Sequence, residues 1–337
     1  MTKGGAAIVS ARVDFVVGEA RADQTTAVLA LLPELLDAVA WPTRFLVAHL
    51  PGQPSALLGA AAFAPVIHRA RTSGFRGQCR VLPAYRRQGI GRALVARLAA
   101  EVAAWDVAHL LSWQAEAEGP AASFMRAMGF RVNFGMHHFI GDYVTMKPLC
   151  ARMTKALRRH GRVPPGFELL PLAQVPLAPV LALHCDEFDA APAAAAAAIE
   201  SALADPLMNR LSIALWDGRQ LAGYVLAGPG EDMPELRFWA SHPAHRDGWA
   251  AMLLLEGYTD RFLECGLPQS RFACNDRNLA PLNIARKIGA RLESVRSGHV
   301  LDLAGFDAAC FALARPDPAD PALARRGPAG NGLGAPA

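Results

Sequence analysis

The 337-residue chain is 52% hydrophobic, yet it contains no uninterrupted run of eighteen apolar residues. A membrane-spanning helix is therefore not expected. Its six cysteines (Cys79, Cys150, Cys185, Cys265, Cys274 and Cys310) form no Cys-x-x-Cys pair. That argues against a zinc site and a disulfide framework, and it leads to the expectation of free thiols in a reducing cytoplasm. Met1-Thr2-Lys3-Gly4-Gly5 opens no secretory pattern of charged, apolar and cleavage regions, which also points to the cytoplasm. Charge of one sign is scarce as well. With 34 Lys and Arg against 30 Asp and Glu, the net charge is only +4. This balance suits an anionic small molecule and argues against nucleic-acid or membrane partners.

What the chain does hold is one distinctive stretch, Val81-Leu82-Pro83-Ala84-Tyr85-Arg86-Arg87-Gln88-Gly89-Ile90-Gly91-Arg92. Gln78 to Leu82 reads as a short strand that Pro83 ends, because proline has no N–H and a fixed φ. Beyond the glycines, Leu94, Val95, Leu98, Val102 and Trp105 recur at helical spacing. A loop with two glycines and three arginines thus precedes a helix N-terminus, where free N–H groups and the helix dipole favour an anion, phosphate above all. A P-loop would continue Gly-Lys-Ser/Thr, but Arg92-Ala93 follows Gly91. A dinucleotide turn would start its glycines directly after the strand and place a third where Leu94 stands.

Val81-x-Pro83-x-x-Arg86-Arg87-Gln88-Gly89-Ile90-Gly91 resembles the acyl-CoA pyrophosphate loop of the GNAT acyltransferase superfamily, whose pattern is Gln/Arg-x-x-Gly-x-Gly/Ala. The resemblance implies that backbone near Val81 pairs with the pantetheine arm of acetyl-CoA. It implies that Arg86, Arg87, Gln88, Gly89, Ile90, Gly91 and Arg92 hold the pyrophosphate. The co-substrate it implies is acetyl-CoA, with a small-molecule or peptide amine as acceptor.

Taken in order, Val13–Val17 reads as a first strand. Asp23–Ala40 reads as one or two helices broken near Pro33, and Phe45–His49 and Ala56–Ala64 as strands around Pro51-Gly52. His109–Ala115 reads as a strand, Pro120–Met128 as a helix, and Phe130–Met146 as a closing hairpin. This order matches the GNAT plan over residues 11–149. Arg152, Lys155, Arg158, Arg159 and Arg162 then form a basic stretch ending at Pro164-Pro165-Gly166, read as a linker over 150–165.

The pattern then repeats. Pro83 and Arg86 correspond to Pro243 and Arg246, and Gly129 to Gly289, each at an offset of 160. The expected architecture is α/β: two tandem GNAT-like domains, each a mostly antiparallel mixed sheet flanked by helices. The second covers 166–304, and a Pro/Gly/Ala-rich tail over 315–337 is expected to be disordered. The second loop, His245-Arg246-Asp247-Gly248-Trp249, is one residue shorter and carries tryptophan where Ile90 stands. On this reading the first domain holds the acyl-CoA and the second is degenerate, its loop obstructed by Trp249.

Direct transfer of an acyl group to an amine needs a base for the amine proton and a way for the thiolate to leave. Candidate bases are Glu116 and Glu118, just past a strand, and His138, which with His137 lies on the closing hairpin where alternation turns one of them inward. Solvated carboxylates and a structural histidine are the competing readings. Glu34 and Asp37 could attract a cationic amine. The resemblance also implies a tyrosine that protonates the thiolate, but Met125 and Ala285 stand at the two corresponding positions. No metal site is expected. An N-acetyltransferase is the expected function, with a catalytically inert acyl-CoA-binding or partner-binding protein as the alternative.

Overall fold

The computed structural model describes residues 13–32, 43–68, 71–105, 107–112, 115–116, 118–188, 190, 192–304, 306 and 315–316. Glu34, Asp37 and the tail beyond Pro316 lie outside them. The first module runs β1 (Val16–Glu19), α1 (Thr25–Leu31), β2 (Arg44–Leu50), β3 (Gln53–His68), β4 (Arg71–Val81), α2 (Ile90–Ala103), β5 (His109–Ser112), β6 (Ala115–Glu116), α3 (Pro120–Ala127) and β7 (Arg131–Asp142). Helix α4 (Tyr143–Arg159) leads into the second module: β8 (Glu168–Pro171), α5 (Leu177–Phe188), α6 (Pro192–Ala204), α7 (Pro206–Leu211), β9 (Ile213–Trp216), β10 (Leu221–Gly228), β11 (Glu235–Ser241), α8 (Trp249–Glu264), β12 (Gln269–Asn275), α9 (Leu279–Lys287) and β13 (Arg291–Asp302). A two-residue strand, β14 (Arg315–Pro316), pairs with β1. No helix among the described residues is long and apolar enough to cross a membrane.

The expected closing hairpin does not form. Phe130–Met146 is one long strand followed by the start of a helix. The Asp142 side chain accepts from the Thr145 N–H at 3.2 Å and so caps α4, whose Tyr143, Met146, Cys150 and Thr154 are buried at helical spacing. Helix α4 continues through most of the stretch read as a linker. Its basic residues occupy the outer face, while Met146 and Cys150 join the core built around α8.

With no hairpin in either module, the two modules complete each other. The strands form one sheet in the order β14-β1-β2-β3-β4-β5-β13-β7-β12-β11-β10-β9-β8. Strand β13, from the second module, lies against β5 of the first (Val300↔Leu111, Leu301↔Leu110). Strand β7, from the first, lies against β12 of the second (Phe272↔Phe139, Cys274↔His137). The two exchanged strands pair antiparallel with each other at the centre, from Arg131↔Val300 to Ile140↔Arg291. Side chains follow the strands. Leu301 is part of the first module's core with Leu94, Leu98 and Phe130, and Phe139 packs with Cys274 and Leu282 of the second.

Helix α2 belongs to the first core, together with Phe124 and Met125 of α3. Helix α1 packs separately on Val47, Ala60 and Ala62. Because strand residues alternate between faces, α2 and α3 cover one face of the sheet and α1 the other. The second module repeats this, with α8 and α5–α6 packed in separate clusters.

Candidate functional site

Strands β4 and β5 run parallel and pair at Phe75↔Leu110, Arg76↔Leu111 and Gly77↔Ser112. There the ladder stops. Strand β5 ends at Ser112, and the next segment, β6, pairs with β13 instead, while β4 continues to Val81. The strands therefore part at Gly77 and Ser112 and leave a wedge that opens towards the N-terminus of α2.

At the mouth of this wedge, Pro83–Tyr85 forms one 3-10 turn and Arg86 returns to extended backbone. Arg87 then adopts a φ of 66°, the only positive φ outside glycine among the described residues. Gly89 follows at 90° as the N-cap of α2. Two left-handed residues in three curl the backbone around the helix N-terminus. The first four N–H groups of a helix have no acceptor within it and sit at the positive end of its dipole, so the loop is shaped as an anion cradle.

The side chains around this cradle divide the work. Ile90 is 1% exposed and faces the core, so only its backbone is available. The Arg86 Nε donates to the Val81 carbonyl at 3.1 Å and braces the strand end. The Gln88 Oε1 accepts from the Val13 N–H at 3.2 Å, which ties the loop to the start of the chain. Arg87 and Arg92 are exposed. A Cβ on Gly91 would meet Phe124 and Val81 at ordinary contact distances, so position 91 has room for alanine, whereas the φ of 90° favours glycine at 89. The eight residues singled out in the sequence lie between the end of β4 and the first turn of α2.

The candidate bases are placed less uniformly. Glu118 is exposed in the turn before α3. Glu116 lies on β6, opposite Arg296 of β13. His138 lies on β7, opposite Ser294 of β13 and Ala273 of β12. Glu116 and His138 therefore flank the same short segment of the exchanged strand from its two sides. His138 Nε2 is buried without a hydrogen-bond partner. Burial, reinforced by Arg296, holds the His138 imidazole below its ordinary pKa of 6.5. Met125 is half-buried against the core around α2, with no hydroxyl to offer.

His299 is a residue that sequence reasoning missed. Its backbone N–H donates to Ser112 Oγ at 2.9 Å, at the point where β4 and β5 part. The residue is 2% exposed, and its Nδ1 is buried with no hydrogen-bond partner. A buried polar atom left in this state costs about 1–3 kcal/mol. No local signal could have found it, because it reaches the first module only through the strand exchange.

The second module repeats the geometry with different chemistry. Strands β11 and β12 pair only at Glu235↔Arg271 and Leu236↔Phe272 before parting. Gly248 caps α8 with a φ of 96°, and the Arg246 Nε donates to the Ser241 carbonyl at 3.3 Å, as Arg86 does to Val81. Trp249 does not obstruct the loop: it is 2% exposed and packs inward on Phe167 and His245, just as Ile90 turns inward. What differs is charge and backbone. Arg246 is ion-paired to Glu187, Asp247 stands immediately before the cap, and no left-handed residue precedes Gly248. Glu187 thus engages Arg246, and Asp247 lies 3.9 Å from Arg162, so the positive charge beside this helix N-terminus is already paired with carboxylates.

Beside the second wedge, His184 of α5 is 2% exposed and shares a hydrogen bond of 2.5 Å between its Nδ1 and the Tyr224 hydroxyl, with Phe188 and Phe238 around it. Burial pushes its pKa down to about 4. The unfolded chain therefore binds a proton between pH 6.5 and 4 that the folded chain refuses. Stability should be complete above pH 6.5 and fall through this window by up to about 3 kcal/mol. Urea melts at pH 7 and pH 4.5 should show this loss, and His184→Gln should remove most of it. An unchanged slope in that variant would assign the acid sensitivity elsewhere.

Residues 41–132 match the family model for an acetyltransferase (GNAT) domain. Among solved structures, the chain is similar to a tandem GNAT protein from the clavulanic acid biosynthesis pathway. The two share 19% identity with a TM-score of 0.56, over 87% of this chain and 99% of that one. It is also similar to a GCN5-related N-acetyltransferase from Sphaerobacter thermophilus, at 13% identity and a TM-score of 0.56, over 86% of this chain and 96% of that one. A third similarity is to a GCN5-related glucosamine N-acetyltransferase region of a fungal multi-domain β-N-acetylglucosaminidase, at 14% identity and a TM-score of 0.60, over 86% and 38% of the chains. No match was found among curated proteins. The resemblance seen in the loop thus extends to the fold of the whole chain, which is that of tandem GNAT modules.

Proposed function

We propose that this tandem GNAT-fold chain is an acyltransferase that moves an acetyl group from acetyl-CoA directly to an amine, using the wedge of the first module. The observation that carries this reading is the wedge between β4 and β5 ending at the curled loop of Arg87 and Gly89. A long thioester with a charged pyrophosphate at one end needs both parts in line. The N–H groups at the start of α2 would receive the pyrophosphate oxygens, with Arg87 and Arg92 supplying positive charge. The part of β4 that runs beyond Gly77 would offer its backbone to the pantetheine amides, which places the thioester near the apex.

There the amine attacks the carbonyl, the C–S bond breaks, and the amine proton must leave. Glu116, Glu118 and His138 remain candidates for receiving it. The acceptor is a small-molecule or peptide amine.

A second reading, an inert acyl-CoA-binding protein, is favoured by Met125, which gives the departing thiolate no proton. Calorimetry with acetyl-CoA and thiol release over a panel of amines test both. A stoichiometry of one with turnover of at least one amine is expected. One bound acetyl-CoA without turnover would favour the inert binder. No binding would overturn both readings, and a stoichiometry of two would overturn the division between the modules.

A further inference from the structure

The first module's wedge is bordered by a strand that does not belong to it. Strand β13 comes from the far end of the chain and lies directly against β5. The backbone of His299 is bonded to Ser112, the last β5 residue to pair with β4. Adjacent strands stand about 4.8 Å apart, so His299 is one strand away from the apex. Leu301, two residues along, packs in the same core as α2, Phe124 and Met125. By alternation the His299 side chain lies on that same face, where α3 carries Met125.

We propose that His299, delivered by the second module, is the proton carrier of the first module's transfer reaction. This rests on the acyltransferase reading above. As the amine nitrogen bonds to the carbonyl carbon, the proton of the resulting ammonium passes to His299 Nδ1. The C–S bond breaks, and the imidazolium returns that proton to the thiolate sulfur. The imidazole ends neutral, and the products are an amide and a free thiol, so no further reactant is needed.

Three features of the site suit this role. His299 is 2% exposed, and its Nδ1 is buried without a hydrogen-bond partner. Burial holds the imidazole below its ordinary pKa of 6.5, and Arg126 of α3 lowers it further, against a smaller opposite pull from the Ser297 backbone. Its neighbours on β5 and β7 in register, Ser112 and Val132, carry no charge. The imidazole is therefore neutral at pH 7 and able to accept a proton.

The test compares the full-length wild type with His299→Gln, using acetyl-CoA and the fastest amine of the panel. His299→Gln is expected to lower kcat by 100-fold or more, while the Kd for acetyl-CoA stays within threefold of wild type. The wild-type kcat/KM should fall on the acid side with a midpoint below pH 6.5, and the variant should lose that limb. A variant kcat within threefold of wild type overturns the proposal and leaves the acyltransferase reading intact. Should the variant fail to bind acetyl-CoA or to fold, the profile of His138→Gln decides: an acid limb below pH 6.5 kept in that variant supports the proposal, and loss of that limb, or a flat wild-type profile from pH 5 to 8, overturns it. A wild type that turns over no amine overturns both readings together.

Discussion

Residues 1–166 expressed alone should give no folded first module, and residues 167–337 alone should give no folded second one. Each half would lack the strand that closes its sheet. In the first half, β5 would be left with an open edge and β7 with neither of its partner strands, and Val300 and Leu301, each 3% exposed in the whole chain, would be missing from the interior. The second half would lose Phe139 and Ile140, exposed by only 4% and 6%, from beside β12. At about 1.5–3 kcal/mol for each buried side chain, each half loses roughly 3–6 kcal/mol, a large part of the about 5–15 kcal/mol that stabilises most domains. Open edges also invite aggregation.

Co-expressed halves should purify together and melt in one transition. Trypsin should cut first at the exposed Arg158, Arg159 and Arg162, and the nicked chain should elute as a single species without denaturant. A soluble, cooperatively melting fragment 1–166 that binds acetyl-CoA would refute the exchange.

Gly89→Glu should weaken acetyl-CoA binding by 100-fold or more, about 2.7 kcal/mol, whereas Gly248→Glu should change it by less than threefold. The pair is informative because the two glycines share one backbone role. Each caps the helix after its loop, with φ near 90°, so a side chain at either imposes a similar conformational strain. Any difference in binding then reports the ligand and not the fold. Glutamate at 89 would set a carboxylate where the pyrophosphate is proposed to sit. Glutamate at 248 would only join Asp247 and Glu187, which already engage Arg162 and Arg246 at that helix end. Calorimetry on both variants decides the matter. Loss of binding in Gly248→Glu with binding kept in Gly89→Glu would reverse the assignment of the two modules.

The loop before α2 could be read from sequence because its determinants are local. Pro83 ends a strand, Gly89 permits a positive φ, and the apolar spacing from Leu94 to Val102 starts a helix, all within twenty residues. The repeat was legible for the same reason, since Pro243, Arg246 and Gly289 restate local chemistry at a constant offset. Helix α4 was harder to see. Its buried Tyr143, Met146 and Cys150 are interleaved with arginines and lysines that look like a solvated linker until α8 is there to cover them.

What Trp249 does depends on packing too. Its bulk suggests obstruction, but the neighbouring Phe167 and His245 draw it inward, and the charges around Gly248 set the two loops apart.

By itself, then, the sequence determined the two wound modules, the loop with its arginines, and the difference in length between the two loops, because each follows from neighbours along the chain. Only the tertiary structure decided that β7 and β13 change places. A strand's alternating pattern states that one face is buried but not which sheet buries it. The partners of β7 lie more than a hundred residues away, at positions such as Ser270 and Ser297 that carry no mark of the pairing. His299 follows from that exchange alone. In sequence it is one histidine on a late strand, and it comes beside Ser112 because the second module closes the sheet of the first.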